Sequence, residues 1–229
     1  MPPLQLLIKP SSGMCNLRCR YCFYCDVAQN RMKENYGFMT RDTMRQVVKK
    51  ALAYADGTCG FAFQGGEPTL IGIDFYRDFL DTVKEYNTKN LPVSLSLQTN
   101  GYRLGDEWAK LFAENRFLVG VSVDGVKATH DSQRLTPSGE GSFSGVMETI
   151  DRFNRHKVEY NILTVVHAKT AAKIRRIYEF YKKNNFHYQQ YIACLDPLTE
   201  EPGGHHYSLS PGAYGSFLIE LFDLWYLDL

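Results

Sequence analysis

Short runs rich in β-branched and aromatic residues alternate with longer segments of helical periodicity along most of this chain. Six such runs are predicted strands: LQLLIKP near residue 5, GFAFQGG near 60, VSLSLQTNG near 93, FLVGVSVDG near 117, EYNILTVVH near 159 and YQQYIACLD near 188. Helices are predicted near 40–55, 74–89, 105–115, 143–156 and 171–184, with Thr40 and Asp74 as N-caps. Successive strand–helix–strand crossovers require parallel strands. The predicted fold is an α/β partial (β/α)6 TIM-like barrel with parallel strands, because six strands cannot close an eight-stranded barrel.

No low-complexity linker or break in composition divides the 229 residues, so one domain is predicted over 1–229. The formal net charge is only +1, which favours neither nucleic acid nor an anionic membrane as a partner. The N-terminal MPPLQLLIKP lacks the features of a signal peptide, and no segment approaches the roughly 20 apolar residues of a membrane span. We therefore expect a cytoplasmic protein with no nucleic-acid or membrane partner.

The last segment, SPGAYGSFLIELFDLWYLDL, begins as a helix, with Ser210 as N-cap and Pro211 at the first helical position. The chain then stops at Leu229 within the apolar pattern, without a glycine or a basic last turn. This pattern predicts that the sequence is a fragment of a longer protein. The alternative is a C-terminal helix that docks on the sheet and frays at its end.

Four of the six cysteines lie within MCNLRCRYCFYC, residues 14–25, directly after the first predicted strand. Cys15, Cys19 and Cys22 stand in C-x-x-x-C-x-x-C order, and in a cytoplasmic protein clustered thiols are more often metal ligands or redox groups than disulfides. Three thiolates on one loop can each bind one iron of a cubane, which leaves the fourth iron open. The three cysteines are therefore predicted ligands of a [4Fe-4S] cluster that can bind a substrate.

Cys25 leaves an alternative open. As a fourth ligand it would close the site, and zinc would then compete with iron. Because ligands so closely spaced leave little backbone to wrap one ion, Cys25 is instead predicted to be a free thiol beside the loop. Cys59 is predicted to be a core residue, and Cys194 is ambiguous between the core and a site.

The cysteine loop, with the aromatic Tyr21 before its last ligand, resembles the cluster loop of radical S-adenosylmethionine (SAM) enzymes. GGEP, from Gly65 to Pro68, resembles the segment of that superfamily that receives the amino group of SAM. LLIKPSSGMCNLRCRYCFY, FAFQGGEPTL, SLQTNG, FLVGVSVDG, YIACLDPL and FDLWY together are very similar to the anaerobic sulfatase-maturating enzymes. The resemblance implies a radical SAM core domain over 1–229 that oxidises a Cys or Ser of a sulfatase to Cα-formylglycine. It also places the family's SPASM-type domain, with its auxiliary clusters and catalytic acidic residue, beyond Leu229.

The resemblance implies a [4Fe-4S] cluster and SAM as cofactors. The residues it assigns to SAM are Tyr21 through its backbone, Gly65, Gly66, Glu67, Ser122, Arg134 and Leu195. Arg134 would pair with the SAM carboxylate, and the alternative is a solvated loop arginine. Glu67 would bind the SAM amino group, and the alternative is a carboxylate that caps the next helix. Tyr24 and Gln64 are expected to touch a substrate peptide, with a core tyrosine and an inward glutamine as equal alternatives.

The motif positions all follow predicted strands, and the carboxyl ends of parallel strands meet on one face. We therefore expect the cysteine loop to lie near residues 66–67, 99–100, 122–124 and 194–196. Asn100 and Asp124 could equally be turn residues. His205 and His206 are the one adjacent histidine pair, and they are expected at the surface.

The expected partners are a sulfatase polypeptide or peptide as substrate and a reducing protein such as flavodoxin or ferredoxin as electron donor. Two alternative functions stay open. The first is a radical SAM enzyme that modifies a different peptide. The second is a non-catalytic regulatory protein that binds zinc.

Overall fold

A computed structural model describes residues 3–198 and 200–228, and its centre is one sheet of six parallel strands. The strands are β1 (Leu4–Ile8), β2 (Cys59–Phe63), β3 (Val93–Thr99), β4 (Leu118–Ser122), β5 (Tyr160–Val166) and β6 (Gln189–Ala193). Their order in the sheet is their order in the chain, so every crossover moves to the next position. The sheet curves into a half-barrel with helices on its outer side, which confirms the predicted partial TIM-like fold.

Helices fill the connections between the strands. They are α1 (Phe23–Gln29), α2 (Arg41–Tyr54), α3 (Ile73–Tyr86), α4 (Asp106–Glu114), α5 (Lys127–His130), α6 (Phe143–His156), α7 (Ala168–Ala171), α8 (Ile174–Lys183) and α9 (Pro211–Tyr226), with a 3-10 turn at Pro68–Ile71. Every predicted helix is present, although the one predicted over 171–184 begins earlier and is split into α7 and α8. The sequence analysis missed α1, α5 and the 3-10 turn, because such short segments carry too little apolar periodicity.

The predicted helix caps are partly confirmed. Thr40 accepts a hydrogen bond from Thr43 N at 3.2 Å, and Ser210 caps α9 through Ala213 N at the same distance. The prediction for Asp74 is wrong. Gly72 is the N-cap of α3 because the chain leaves the 3-10 turn with a φ of 95°, which glycine adopts at little cost. Asp74 lies in the first turn instead.

The main core lies between the convex face of the sheet and the helices. Phe61 and Phe63 of β2 pack edge-to-face on Phe79 of α3, with ring centroids 5.2 and 4.9 Å apart. Cys59 is fully buried in this layer, as predicted. The concave face carries smaller and polar residues. At Gly120 a Cβ atom would lie 1.9 Å from Gln98 Oε1, so a side chain there would require the Gln98 amide to move.

The last helix, α9, packs on α7 and α8 through the buried Phe217. Leu218, Ile219, Phe222 and Trp225 on its other faces are exposed. Leu229, on which the prediction of a fragment rests, lies outside the described residues. In the part of the chain that the structure describes, no helix is long and apolar enough to cross a membrane.

Candidate active site

The cysteine loop, residues 14–22, connects β1 to α1 and is anchored through its backbone. Arg18 N donates to Leu135 O at 2.6 Å, and Arg20 N donates to Gln133 O at 3.0 Å. These two bonds pair the loop with the segment after α5 in antiparallel fashion. The loop therefore has a defined path that is held by the protein itself.

The GGEP segment anchors the other side of the loop. Glu67 N donates to Met14 O at 2.7 Å, and a Cβ atom at Gly66 would lie only 2.0 Å from that same oxygen. Gly65 has a φ of 95°. The close approach of the two backbones excludes a side chain at Gly66. Gly65 supplies the turn that makes this approach possible.

The three predicted cluster ligands are free, half-buried thiols. Cys19 and Cys22 line a cavity of about 330 Å³, whereas Cys15 lines a second cavity of about 480 Å³ on the α1 side of the loop. Cys25 lines both. Within residues 3–198 and 200–228, no three Cys, His, Asp or Glu side chains are placed to hold a single metal ion. Three free thiols on one anchored loop suit a [4Fe-4S] cluster, in which each thiol binds its own iron.

The thiols of Cys19, Cys22 and Cys25 differ in the direction in which the protein shifts their pKa values. Burial raises the pKa of Cys19 to about 12, and the nearby Arg134 charge opposes this shift. A hydrogen bond from the Cys25 thiol lowers the pKa of Cys22 to about 6. Donating that bond raises the pKa of Cys25. Cys25 thus supports its neighbour as a neutral donor, and its role as a free thiol stays a prediction.

Glu67 is buried, and both of its carboxylate oxygens accept hydrogen bonds from neighbouring residues. Oε1 accepts from Thr69 N at 3.0 Å, Thr69 Oγ1 at 2.7 Å and Thr99 Oγ1 at 2.9 Å, while Oε2 accepts from Asn100 N at 2.8 Å. Burial raises its pKa, and these hydrogen bonds act against that shift. The carboxylate caps the 3-10 turn and ties the end of β2 to the end of β3. The amino-group role of Glu67 stays a prediction beside this capping role.

A buried ion pair lies on the opposite side of the loop. Arg134 Nε donates to Asp124 Oδ2 at 2.9 Å and Arg134 Nη2 to Oδ1 at 3.2 Å. Asp124 Oδ1 also accepts from Val165 N at 3.0 Å, and Oδ2 accepts from the Tyr21 hydroxyl. The Arg134 guanidinium also lies over the face of the Tyr21 ring, 5.5 Å from the ring centroid, as a cation–π contact. Arg134 is therefore not a solvated loop arginine, and Asp124 is more than a turn residue.

His130 supports the ion pair from behind. Its Nδ1 accepts from Asp124 N at 3.2 Å, and its Nε2 lies 3.0 Å from Ser142 Oγ, which donates to Arg134 O at 2.9 Å. Because the Ser142 hydrogen is used, His130 must carry its proton on Nε2. Burial lowers the pKa of His130 to about 4, so the ring is neutral.

The other predicted site residues lie around the Glu67 carboxylate and the Asp124–Arg134 ion pair. Ser122 ends β4 and accepts from Gln98 Nε2 at 3.4 Å on the concave face. Leu195 is 59% exposed and lines the 330 Å³ cavity with Cys19 and Cys22. Tyr24 lies in α1, hydrogen-bonded to Gln64. Tyr24 and Gln64 are therefore brought together, next to the concave face that Gln64 lines.

The connection from β6 to α9 forms the far wall of the 330 Å³ cavity. Leu198 N donates to Asp26 Oδ2 at 3.1 Å, which ties this connection to α1. His205 and His206, which are expected at the surface, line the cavity. His206 Nε2 lies 3.3 Å from the buried Gln133 amide. His206 is exposed, as expected, and His205 is half-buried, so the pair lies at the surface while forming part of the wall.

Sequence reasoning missed the buried polar residues behind the loop, namely Gln133, His130 and His167. His167 follows β5 directly, and its ring centroid lies 5.8 Å from that of Tyr21. Burial lowers its pKa to about 4. Its position after a strand end was the one available signal.

Comparison with known proteins gives concordant findings. The Radical SAM superfamily profile matches residues 10–181. A cysteine-type anaerobic sulfatase-maturating enzyme of Clostridium novyi is 52% identical over the whole chain, and a serine-type enzyme of Bacteroides thetaiotaomicron is 32% identical over 97% of it. A solved structure of anSMEcpe with bound AdoMet and Kp18Cys peptide superposes with a TM-score of 0.94, at 46% identity over 99% of this chain. The chain spans 61%, 57% and 61% of the lengths of these three proteins.

Proposed function

Because this chain belongs to the radical SAM superfamily, we propose that it cleaves SAM reductively and oxidises a cysteine or serine of a sulfatase polypeptide to Cα-formylglycine. The superfamily uses a [4Fe-4S] cluster and SAM. When both are bound, they supply a 5′-deoxyadenosyl radical that removes a hydrogen atom from the substrate Cβ. The named enzymes of this type among its relatives support sulfatase maturation as the reaction.

Different residues of the chain would bind the cluster and SAM. Cys15, Cys19 and Cys22 would hold three irons as thiolates, and their protons leave when the cluster binds. Arg134, fixed by Asp124, would present a positive charge to the SAM carboxylate. Leu195 would offer an apolar wall beside Cys19 and Cys22.

Further contacts with SAM would come from the backbone and from polar side chains at the strand ends. These are the Tyr21 carbonyl, Gly65, Gly66, Glu67 and Ser122. Tyr24 and Gln64, joined by a hydrogen bond beside the concave face, would contact the substrate peptide. A reducing protein such as flavodoxin or ferredoxin would supply the electron.

The observation that carries this proposal is the convergence of three free thiols with residues from separate strand ends. Asn100 after β3 reaches Cys15, and Asp124 after β4 reaches Tyr21 of the same loop. A scaffold that only stored zinc would not require a buried guanidinium beside its ligands. The buried guanidinium beside the thiols therefore supports a charged cofactor in addition to metal.

The proposal is tested on anaerobically reconstituted protein. We expect about four irons and four sulfides per chain, 5′-deoxyadenosine from SAM, and an aldehyde in a peptide carrying C-x-P-x-R, detected by mass spectrometry. SAM cleavage without the aldehyde would favour a radical SAM enzyme for another peptide. A colourless protein with one zinc ion would favour the regulatory alternative and refute the radical reaction.

Two cysteine variants make this test specific. Cys19→Ala should lose the cluster and SAM cleavage, because it removes one of three ligands. Cys25→Ala is the matched control and should keep both, since Cys25 donates to Cys22 without binding iron. Loss of iron from the Cys25 variant would show that the three-ligand assignment is wrong.

A further inference from the structure

The amide of Asn100 lies between the end of β3 and the cysteine loop, and its orientation is determined by a backbone donor. Tyr102 N donates to Asn100 Oδ1 at 2.8 Å. Because a backbone N–H can only donate, the oxygen of the amide must face Tyr102 and the nitrogen must face the loop. This assignment needs no assumption about a ligand.

The two hydrogens of Asn100 Nδ2 have two acceptors in the cysteine loop. One is Asn16 Oδ1 at 2.8 Å, and the other is Cys15 Sγ at 3.5 Å. Cys15 Sγ also accepts from Leu17 N at 3.4 Å. Two N–H groups are therefore directed at one sulfur, one from the loop and one from a neighbouring strand end.

The position of Asn100 is fixed by Glu67. The Glu67 carboxylate accepts from Asn100 N at 2.8 Å and from the preceding Thr99 hydroxyl at 2.9 Å. Asn100 is buried, so its amide has little freedom to turn to water. The donor to Cys15 is thus built into the fold and does not depend on a mobile surface side chain.

We propose that Asn100 is a positioning residue that raises the reduction potential of the cluster by donating a hydrogen bond to the Cys15 sulfur. This inference rests on the proposed function, since it requires that Cys15 binds iron. The added electron of a reduced cluster increases the negative charge on its ligand sulfurs. A donor aimed at such a sulfur stabilises the reduced form, and hydrogen bonds to sulfur are among the determinants of cluster potential.

The experiment is a redox titration of the reconstituted protein, followed by the electron paramagnetic resonance signal of the reduced cluster. Asn100→Leu removes the donor without adding charge. At one fixed ambient potential, its ratio of reduced to oxidised cluster should fall about threefold or more, where a tenfold change equals 59 mV for one electron. Asn16→Leu is the matched control, because Asn16 belongs to the same network but accepts from Asn100. Its ratio should change by less than about twofold on the same scale.

A second pair of variants separates the effect of an added charge from the effect of the lost hydrogen bond. It also replaces the first pair if Asn100→Leu does not retain iron. Asn100→Asp keeps the acceptor for Tyr102 N but loses the donor, and Asn16→Asp adds the same charge while leaving the donor in place. A larger fall in the ratio for Asn100→Asp than for Asn16→Asp supports the proposal. Equal shifts within either pair overturn it.

The same titration distinguishes this inference from the function it rests on. If the unmodified protein shows no reducible cluster, the proposed function fails and the inference fails with it. If the cluster is present and the Asn100 variants titrate like the unmodified protein, only the inference fails.

Discussion

Replacing Asp124 with alanine should destabilise this protein far more than removing an ion pair from its surface. The Asp124 side chain is fully buried, and only 7% of the Arg134 side chain is exposed. The substitution leaves the guanidinium and Val165 N without their acceptor. Removing one partner of a buried pair costs about 3–5 kcal/mol. For a chain of this length, each kcal/mol lowers Tm by about 2–4 °C, so we expect a fall of about 6–20 °C.

A surface pair provides the control. Arg77 and Asp74 lie 2.7 Å apart, but their side chains are 52% and 73% exposed, so Asp74→Ala should cost about 0–1 kcal/mol. The assay is thermal and urea unfolding followed by circular dichroism, on protein prepared without iron.

A double variant tests whether the cost of Asp124→Ala comes from the unpaired charge of Arg134. Asp124→Ala with Arg134→Met removes the unpaired charge, so its cost should be about 1–3 kcal/mol less than the sum of the two single variants. If the costs simply add, or if Asp124→Ala behaves like Asp74→Ala, the pair does not stabilise the site as argued.

Two further predictions concern the backbone and the buried histidine. Gly66→Ala should lower Tm and weaken iron retention because its Cβ meets Met14 O, whereas Gly215→Ala, in open space within α9, should raise stability by about 0.5–1 kcal/mol; equal effects on unfolding would refute the steric argument. His130 has a pKa lowered to about 4 from an ordinary 6.5, so between these values the unfolded chain binds more protons than the folded one, and stability should decrease as the pH is lowered through that window. His130→Gln should reduce this dependence by up to about 1.4 kcal/mol per pH unit, measured by urea unfolding between about pH 7 and 5, and parallel profiles would contradict it.

The sheet and the cysteine loop were predictable because their signals are local. A strand is visible in a few consecutive residues, and the spacing of Cys15, Cys19 and Cys22 lies within one loop. The cap of α3 was not predictable, because the φ of Gly72 depends on how the preceding 3-10 turn approaches. The local sequence favoured Asp74 as the N-cap, but the path of the backbone places Gly72 at that position.

The buried network behind the loop could not be predicted from one sequence. Asp124, Arg134 and Tyr21 come from three separate segments, and each has an ordinary explanation when taken alone. Their contacts depend on the crossover after β4 returning to the cysteine loop. Glu67 shows the same limit: its position after β2 was clear, but its four hydrogen bonds were not.

The two hydrogen bonds that pair the cysteine loop with the segment after α5 make the two strips one mechanical unit. Cys19 lies between Arg18 and Arg20, and Arg134 lies between Gln133 and Leu135, so the thiol and the guanidinium sit opposite each other on the paired backbones. The spacing between this thiol and this guanidinium is therefore set by backbone hydrogen bonds, and the positive charge lies close enough to act on the pKa of Cys19. A change in the segment after α5 that breaks these bonds would alter the charge environment of Cys19 without touching the cysteine itself.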